Sequence, residues 1–88
     1  PFFLYMSHYA VHTPIMPDNR FVEKYFEKGI DSTEAKYASM VEAMDKSLGD
    51  IMDFLEEKEI SDNTIILFYL QLFIFNNTIV YITLITNT

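Results

Sequence analysis

The sequence predicts an α/β fold in which two parallel strands are joined by a long amphipathic crossover helix. A run of apolar and aromatic residues covers Phe2–Met6, and a second run, rich in β-branched and aromatic residues, covers Thr64–Phe68. Between them, apolar residues recur at helical spacing over about five turns. Because a strand, helix and strand in succession connect as a right-handed crossover, the two strands should be parallel and adjacent or nearly so.

Length and composition limit what the chain can be. Its 88 residues allow one small domain with a modest core. The net charge of −7 argues against nucleic acid as a partner, since nucleic-acid binding needs a basic patch. The absence of Cys excludes disulfides, thiolate metal sites and thiol nucleophiles, but it does not indicate a compartment. The chain starts inside a predicted strand and without Met, so we expect it to be a piece of a larger protein.

Both histidines follow the first predicted strand. Ser7 breaks the apolar run, His8 and His12 come next, and Pro14 prevents a helix or strand from continuing through this segment. The histidines should therefore leave the C-terminal end of a strand, which is the edge where open α/β sheets bind ligands. Judged by spacing alone, histidines in a loop are more often solvated or structural residues than ligands. A metal-binding pair on a helix is disfavoured as well, because the Glu of a His-Glu-x-x-His motif is absent.

A short helix is predicted next, capped by Asp18 or Asn19 and ended by Gly29. Its aromatic residues are interpreted as packing residues. Asp31 then caps a long helix from about Thr33 to Lys58. The face that should pack on the strands consists of Tyr37, Met40, Val41, Met44, Leu48, Ile51 and Leu55. The acidic residues of this helix are interpreted as a solvated face rather than as a cation site.

Gly49 interrupts this long helix at a cost of about 1 kcal/mol relative to Ala. We expect it to allow a close approach between the helix and a strand.

From Tyr69 onward the chain carries no charge and consists almost entirely of Ile, Leu, Phe, Tyr, Val, Thr and Asn. Residues 65–85 are long enough for a membrane span, but Asn76 and Asn77 at the centre disfavour it. A hairpin turning at these asparagines is favoured, and an exposed segment of this kind is also an aggregation hazard.

A resemblance to a known family makes the prediction for the segment that carries both histidines more specific. This segment, residues 8–18, is the histidine segment. The residues Phe-Phe-Leu-Tyr-Met-Ser-His-Tyr-Ala-Val-His-Thr-Pro, at positions 2–14, resemble the strand and active-site loop of the sulfatase family, a branch of the alkaline phosphatase superfamily. In that family the His two residues before the Pro faces the sulfate ester, which implies a catalytic role for His12. His8 falls at a more variable position, for which the resemblance implies substrate binding at most. Residues 37–49 are similar to the long helix that follows this loop in sulfatases.

The resemblance extends over about residues 1–68 and implies a partial catalytic domain of an alkaline-phosphatase-like sandwich. Residues 69–88 are predicted to be an apolar tail unlike the family. The family's Asp-Asn-Gly motif, which holds Ca²⁺, should follow soon after Phe68 and is missing. The Cys/Ser-x-Pro-x-Arg motif, from which the formylglycine nucleophile is made, is absent too. Ca²⁺ and formylglycine are thus implied for the family, and no metal ligand can be assigned in this chain.

The sequence therefore predicts a fragment of a sulfuric ester hydrolase acting on a small-molecule or glycan sulfate ester, inactive as the isolated chain. Two alternatives stay open. One is a phosphodiesterase or phosphonate hydrolase of the same superfamily, and the other is a non-catalytic truncated product with a membrane-associating tail. The family suggests a periplasmic, lysosomal or secreted location.

Overall fold

A computed structural model describes residues 1–8, 14–72 and 78–86 of the chain. The elements are strand β1 (Phe3–His8), helix α1 (Val22–Glu27), helix α2 (Ser32–Glu57), strand β2 (Thr64–Leu72) and strand β3 (Thr78–Thr86), with one 3₁₀ turn at Ser61–Asn63. The predicted elements are confirmed to within a few residues, and the long helix differs from its predicted bounds by one residue at each end.

The strand order is β1-β3-β2, and β3 is antiparallel to both neighbours. This arrangement leaves the predicted parallel pairing unconfirmed. The first two strands run in the same direction, as expected, but β3 lies between them, so they form no parallel pair. The physical reason is that β3 brings a complete row of backbone donors and acceptors, which satisfies the inner edges of both strands.

The tail therefore supplies the central strand of the sheet. The hairpin prediction for residues beyond Tyr69 is confirmed in that β2 and β3 pair side by side from Thr64↔Thr86 to Leu72↔Thr78. The predicted turn at Asn76 and Asn77 lies outside the described residues. Within the described part of the chain, no helix combines the length and apolar character needed to cross a bilayer.

Among the residues that the structure describes, a helix covers one face of the sheet and none covers the other. On the side of α2, Ile82 and Leu84 of β3 are buried, as is Leu55 of α2. On the opposite side, one row across the three strands consists of Phe3, Ile85 and Ile65, and all three side chains are exposed. A two-layer structure of this kind leaves apolar surface that an α/β sheet ordinarily covers with further helices.

Helix α2 begins as predicted, because the Asp31 carboxylate accepts a hydrogen bond from the backbone N–H of Thr33 at 3.1 Å. Its predicted packing face is only partly confirmed. Met40 and Leu55 are buried, whereas Tyr37 and Val41 are 43% and 38% exposed. Tyr37 and Val41 line an open groove beside Tyr25 of α1 instead.

The expected close approach at Gly49 is wrong, because a Cβ built at this residue meets no atom within 4 Å. We therefore expect Gly49→Ala to stabilise the fold by about 1 kcal/mol, since Ala has the higher helix propensity. Urea unfolding followed by circular dichroism would measure this gain.

Gly29→Ala is the matched control for this substitution. Gly29 also has free space around its Cβ position, but its φ of +73° is left-handed, so Ala there is strained and should destabilise the fold. Equal shifts of the same sign in the two variants would contradict the argument.

Candidate active-site edge

The two strands that run in the same direction end at the same edge of the sheet. His8 is the last residue of β1, and it lies opposite Val80, which in turn lies opposite Leu70 of β2. This edge is where the sequence places the histidine segment. His12, the predicted catalytic residue, lies outside the described residues, so its side-chain geometry stays a prediction.

His8 is described, and its imidazole contacts helix α2. Its Nε2 lies 2.8 Å from the hydroxyl Oγ of Ser47, across 39 residues of sequence. Its Nδ1 is buried and has no hydrogen-bond partner among the described residues. The Ser47 contact therefore ties the end of β1 to the middle of α2. The substrate-binding role implied for His8 stays a prediction.

The other end of the histidine segment is also held by α2. The backbone N–H of Asp18 donates to the Ser39 hydroxyl at 2.9 Å, and that hydroxyl donates to the carbonyl of Lys36 at 2.7 Å. The Asp18 carbonyl accepts from the backbone N–H groups of Phe21 and Val22, which forms the turn that leads into α1. A single residue thus links the segment, α1 and α2. The predicted cap at Asp18 or Asn19 is wrong, because the N-cap is Phe21 and no side chain caps the helix.

The Asp18 carboxylate forms an ion pair with Arg20. It accepts from the Arg20 backbone N–H at 2.9 Å and from the guanidinium Nε and a terminal nitrogen at 3.0 and 2.7 Å. These hydrogen bonds hold the pKa of Asp18 below its ordinary value, and they raise the pKa of Arg20. The pair is solvent-exposed, so it orients the chain at Asp18 more than it stabilises the fold.

A cleft of about 350 Å³ separates α2 from the sheet next to Ser47. Its walls are mostly apolar, and its two cations are Arg20 and Lys46. Both are already paired, Arg20 with Asp18 and Lys46 with Asp50 at 2.9 Å. The volume suits a small organic group, and the cleft is continuous with the serine that contacts His8. The lining residues are Phe2, Leu4, Arg20, Ala43, Lys46, Ser47, Asp50, Ile51, Phe54 and Leu84.

A second polar cluster joins α1 to α2. Glu42 accepts from the Lys24 ammonium at 2.7 Å and from the Tyr25 hydroxyl at 2.6 Å. The Lys24 and Tyr25 hydrogen bonds lower the pKa of Glu42, and its carboxylate raises the pKa of Tyr25 and that of Lys24. This cluster holds the two helices together, with the Lys24–Glu42 hydrogen bond exposed and the Tyr25–Glu42 hydrogen bond partly buried.

The described residues do not fit the Ca²⁺ that the resemblance implies for the family. They contain no group of three or more His, Asp or Glu side chains that could hold a metal ion. Beyond Phe68, β2 continues as Tyr69-Leu70-Gln71-Leu72, which brings no carboxylate to the edge beside His8. Calcium needs several oxygen ligands, so no chemical step can be assigned to it in this part of the chain.

The sequence predicted strand β1 and helix α2, but it did not single out Ser39 and Ser47. Both interrupt the apolar positions of α2, and they lie eight residues apart, which is close to one face of a helix. Two small polar residues at such a spacing on a buried face are a signal, because a buried hydroxyl must find a partner.

Comparison with known proteins assigns the family. The chain matches the sulfatase family over residues 1–69. It is 35% identical over 80 residues to a sulfatase of Formosa agariphila, covering 78% of this chain and 14% of that protein. It is 35% identical over 68 residues to the N-acetylgalactosamine-6-O-sulfatase of Bacteroides thetaiotaomicron and 32% identical over 68 residues to human arylsulfatase H. Each of these two matches covers 77% of this chain. They cover 12% of the Bacteroides protein and 11% of human arylsulfatase H. No solved structure matches the chain significantly.

The chain belongs to the sulfatase family. The predicted extent of the resemblance, about residues 1–68, is confirmed by the matched range of 1–69. The chain spans between 11% and 14% of the length of these relatives, so the matched range is one segment of a sulfatase domain.

Proposed function

We propose that residues 1–68 form the part of a sulfuric ester hydrolase that carries the histidine facing the sulfate group. The observation that carries the proposal is that the family match includes β1, the histidine segment and α2 as one continuous stretch. The contact between His8 and Ser47 supports it, because it fixes the strand end from which the histidine segment leaves.

The proposed role of His12 is to donate a hydrogen bond or a proton to an oxygen of the sulfate ester. Charge develops on the ester oxygen as the bond to sulfur breaks, and a positioned imidazolium or neutral N–H stabilises that charge. The substrate class is a small-molecule or glycan sulfate ester. The Bacteroides relative is named for N-acetylgalactosamine 6-sulfate, which makes a sulfated amino sugar the first compound to test.

In the whole enzyme, we place β1 and β2 in a larger alkaline-phosphatase-like sheet with parallel strands. Two observations support this. The strands already run in the same direction, and the face of the sheet opposite α2 exposes Phe3, Ile65 and Ile85. Helices from the rest of a sulfatase domain would cover such a face.

A non-catalytic product is the second candidate for the 88-residue chain itself. The observation that favours it is the central position of β3, which comes from the tail beyond the family match. In this chain β3 fills the place between β1 and β2, and β2 continues without the family's Asp-Asn-Gly motif. The alternative of a phosphodiesterase or phosphonate hydrolase depends on the nucleophile, which this sequence does not include.

Segment exchange tests the proposal. We expect a chimera of the Bacteroides relative, with residues 1–68 replacing its aligned segment, to release sulfate from N-acetylgalactosamine 6-sulfate. The isolated 88-residue chain should release none above background, because a nucleophile and a metal must act together with the histidine. The unaltered relative is the positive control.

A folded chimera, verified by circular dichroism, that hydrolyses bis(para-nitrophenyl) phosphate but no sulfate ester would favour the phosphodiesterase alternative. Turnover by the isolated chain that disappears in His12→Ala would contradict its expected inactivity.

A further inference from the structure

The charges of the protein are confined to its helical layer. Every Asp, Glu, Lys and Arg lies between Asp18 and Asp62, and the three strands contain none of them. The net charge of −7 therefore belongs to the part of the chain that forms α1 and α2. Net charge ordinarily keeps protein molecules apart through mutual repulsion. The sheet has no such charge of its own that would keep a second sheet away.

Strand β2 forms one edge of this uncharged sheet. It pairs with β3 from Thr64 to Leu72, and among the described residues no strand pairs with its other side. Natural proteins protect an edge strand with charged side chains, Pro, a bulge or a short length. Strand β2 is nine residues long, contains neither Pro nor a charged residue, and pairs with β3 without a bulge. Its outer side, over residues 64–72, is defined here as the β2 edge.

The side chains of β2 are exposed on both faces of the sheet. Ile65 and Leu67 lie on the face opposite α2, and Phe68 and Leu70 lie on the face that α2 shares. All four are between 43% and 59% exposed. An uncharged segment of β-forming apolar residues without Pro or Gly is the type that pairs with copies of itself.

The opposite edge, formed by β1, is less suited to such pairing. It is six residues long and ends in the polar residues Ser7 and His8. Leu4 of β1 also lines the cleft that contains Lys46 and Asp50, so charged side chains lie close to this strand. Length, polarity and nearby charge therefore favour the β2 edge.

The acidic side chains nearest to β2 favour an antiparallel pair. Asp53 and Glu56 of α2 line a cleft together with Ile66, near the start of β2. In a parallel pair, the carboxylates of two copies would lie side by side. In an antiparallel pair centred on Phe68, the midpoint of β2, Ile66 of one copy lies opposite Leu70 of the other. The two acidic positions are then about 14 Å apart along the strands, which exceeds the Debye length at physiological salt.

The size of the β2 edge indicates a weak association. Nine residues extend over about 30 Å, and a sheet is about 10 Å thick, so the edge offers about 300 Å² in each copy. A pair would bury about 600 Å² in total, which is less than the roughly 1,200 Å² of the smallest stable interfaces. Backbone hydrogen bonds between the strands add to this apolar contact. A dissociation constant of about 0.1–1 mM is therefore expected.

We propose that the β2 edge binds a second copy of the chain, through antiparallel pairing of β2 with β2 around a two-fold axis near Phe68. The product is a continuous six-stranded sheet that carries both α2 helices on the same face. Such a contact is self-complementary, so it closes at two copies. The inference is independent of the proposed function, because it holds whether or not the parent enzyme cleaves sulfate esters.

Sedimentation velocity of the 88-residue chain, from about 10 µM to 1 mM, tests the dimer. We expect monomer at the lowest concentration and a substantial fraction of dimer at the highest. Leu67→Lys should raise the dissociation constant at least about 10-fold, because the two introduced ammonium groups would be diagonal neighbours about 7–8 Å apart. Val41→Lys is the matched control, since it adds the same charge at an exposed apolar residue of α2 and should leave the association unchanged.

Phe3→Lys distinguishes edge pairing from stacking of the exposed sheet faces. Phe3 lies on the face opposite α2 but in β1, so pairing through the β2 edge should be unaffected by this substitution. Amide hydrogen exchange gives a second readout, because the outer amides of β2 should become protected as the protein concentration rises. If Leu67→Lys does not fold, as judged by circular dichroism, this exchange pattern of the unaltered chain decides the matter.

Three results would overturn the proposal. A chain that stays monomeric up to about 1 mM would show that the β2 edge does not bind a second copy. An equal loss of association in Phe3→Lys and Leu67→Lys would assign the contact to the open face of the sheet. Assemblies that grow beyond a dimer would indicate a contact between the β1 and β2 edges, which does not close on itself.

Discussion

Replacing His12 by Ala in the active chimera is expected to lower kcat for sulfate ester hydrolysis by about 10²- to 10⁴-fold. The physical reason is the loss of a donor at the oxygen where negative charge develops. The fold should survive, because a histidine in a connecting segment contributes little buried apolar area. Steady-state kinetics on N-acetylgalactosamine 6-sulfate, together with circular dichroism of the variant, measure both effects.

His8→Ala is the control for this prediction. His8 contacts Ser47 through Nε2, so its removal should perturb the segment that carries His12 without removing the group proposed to face the substrate. We expect a smaller loss of kcat than for His12→Ala. Near-normal turnover after His12→Ala, combined with a severe loss after His8→Ala, would show that the catalytic role belongs to the other histidine.

Replacing Ile82 by Ala is expected to destabilise the 88-residue chain by about 2–5 kcal/mol. Ile82 is 0% exposed and lies in β3, between Met6 of β1 and Phe68 of β2. Truncation leaves a cavity in the row of side chains that all three strands share, which a small domain can rarely tolerate. The free energy of unfolding from urea denaturation of the isolated chain measures the effect.

Ile65→Ala provides the matched control, because it removes the same atoms from the same sheet. Ile65 is 59% exposed on the face opposite α2, so its truncation should cost about 0.5 kcal/mol or less. Similar losses in the two variants would mean that the tail strand does not occupy the centre of the folded sheet.

The sequence by itself determined the elements and the family. The spacing of apolar residues and the Asp31 cap were enough to predict α2 to within a residue at each end, because helix periodicity and capping are local properties. The run of β-formers was enough to predict β1, and together with the following His-x-Pro pattern it was enough to predict the sulfatase family.

The pairing of the strands was decided only by the tertiary structure. In β3, apolar residues occur on both sides of the strand, as Ile82 and Leu84 face α2 and Ile85 faces away. A strand without apolar–polar alternation does not reveal its buried face or its neighbours. The same is true of Ser39 and Ser47, since a hydroxyl on a helix shows no partner in the sequence. Their partners, Asp18 and His8, became apparent only when chain folding brought segments 21 and 39 residues apart into contact.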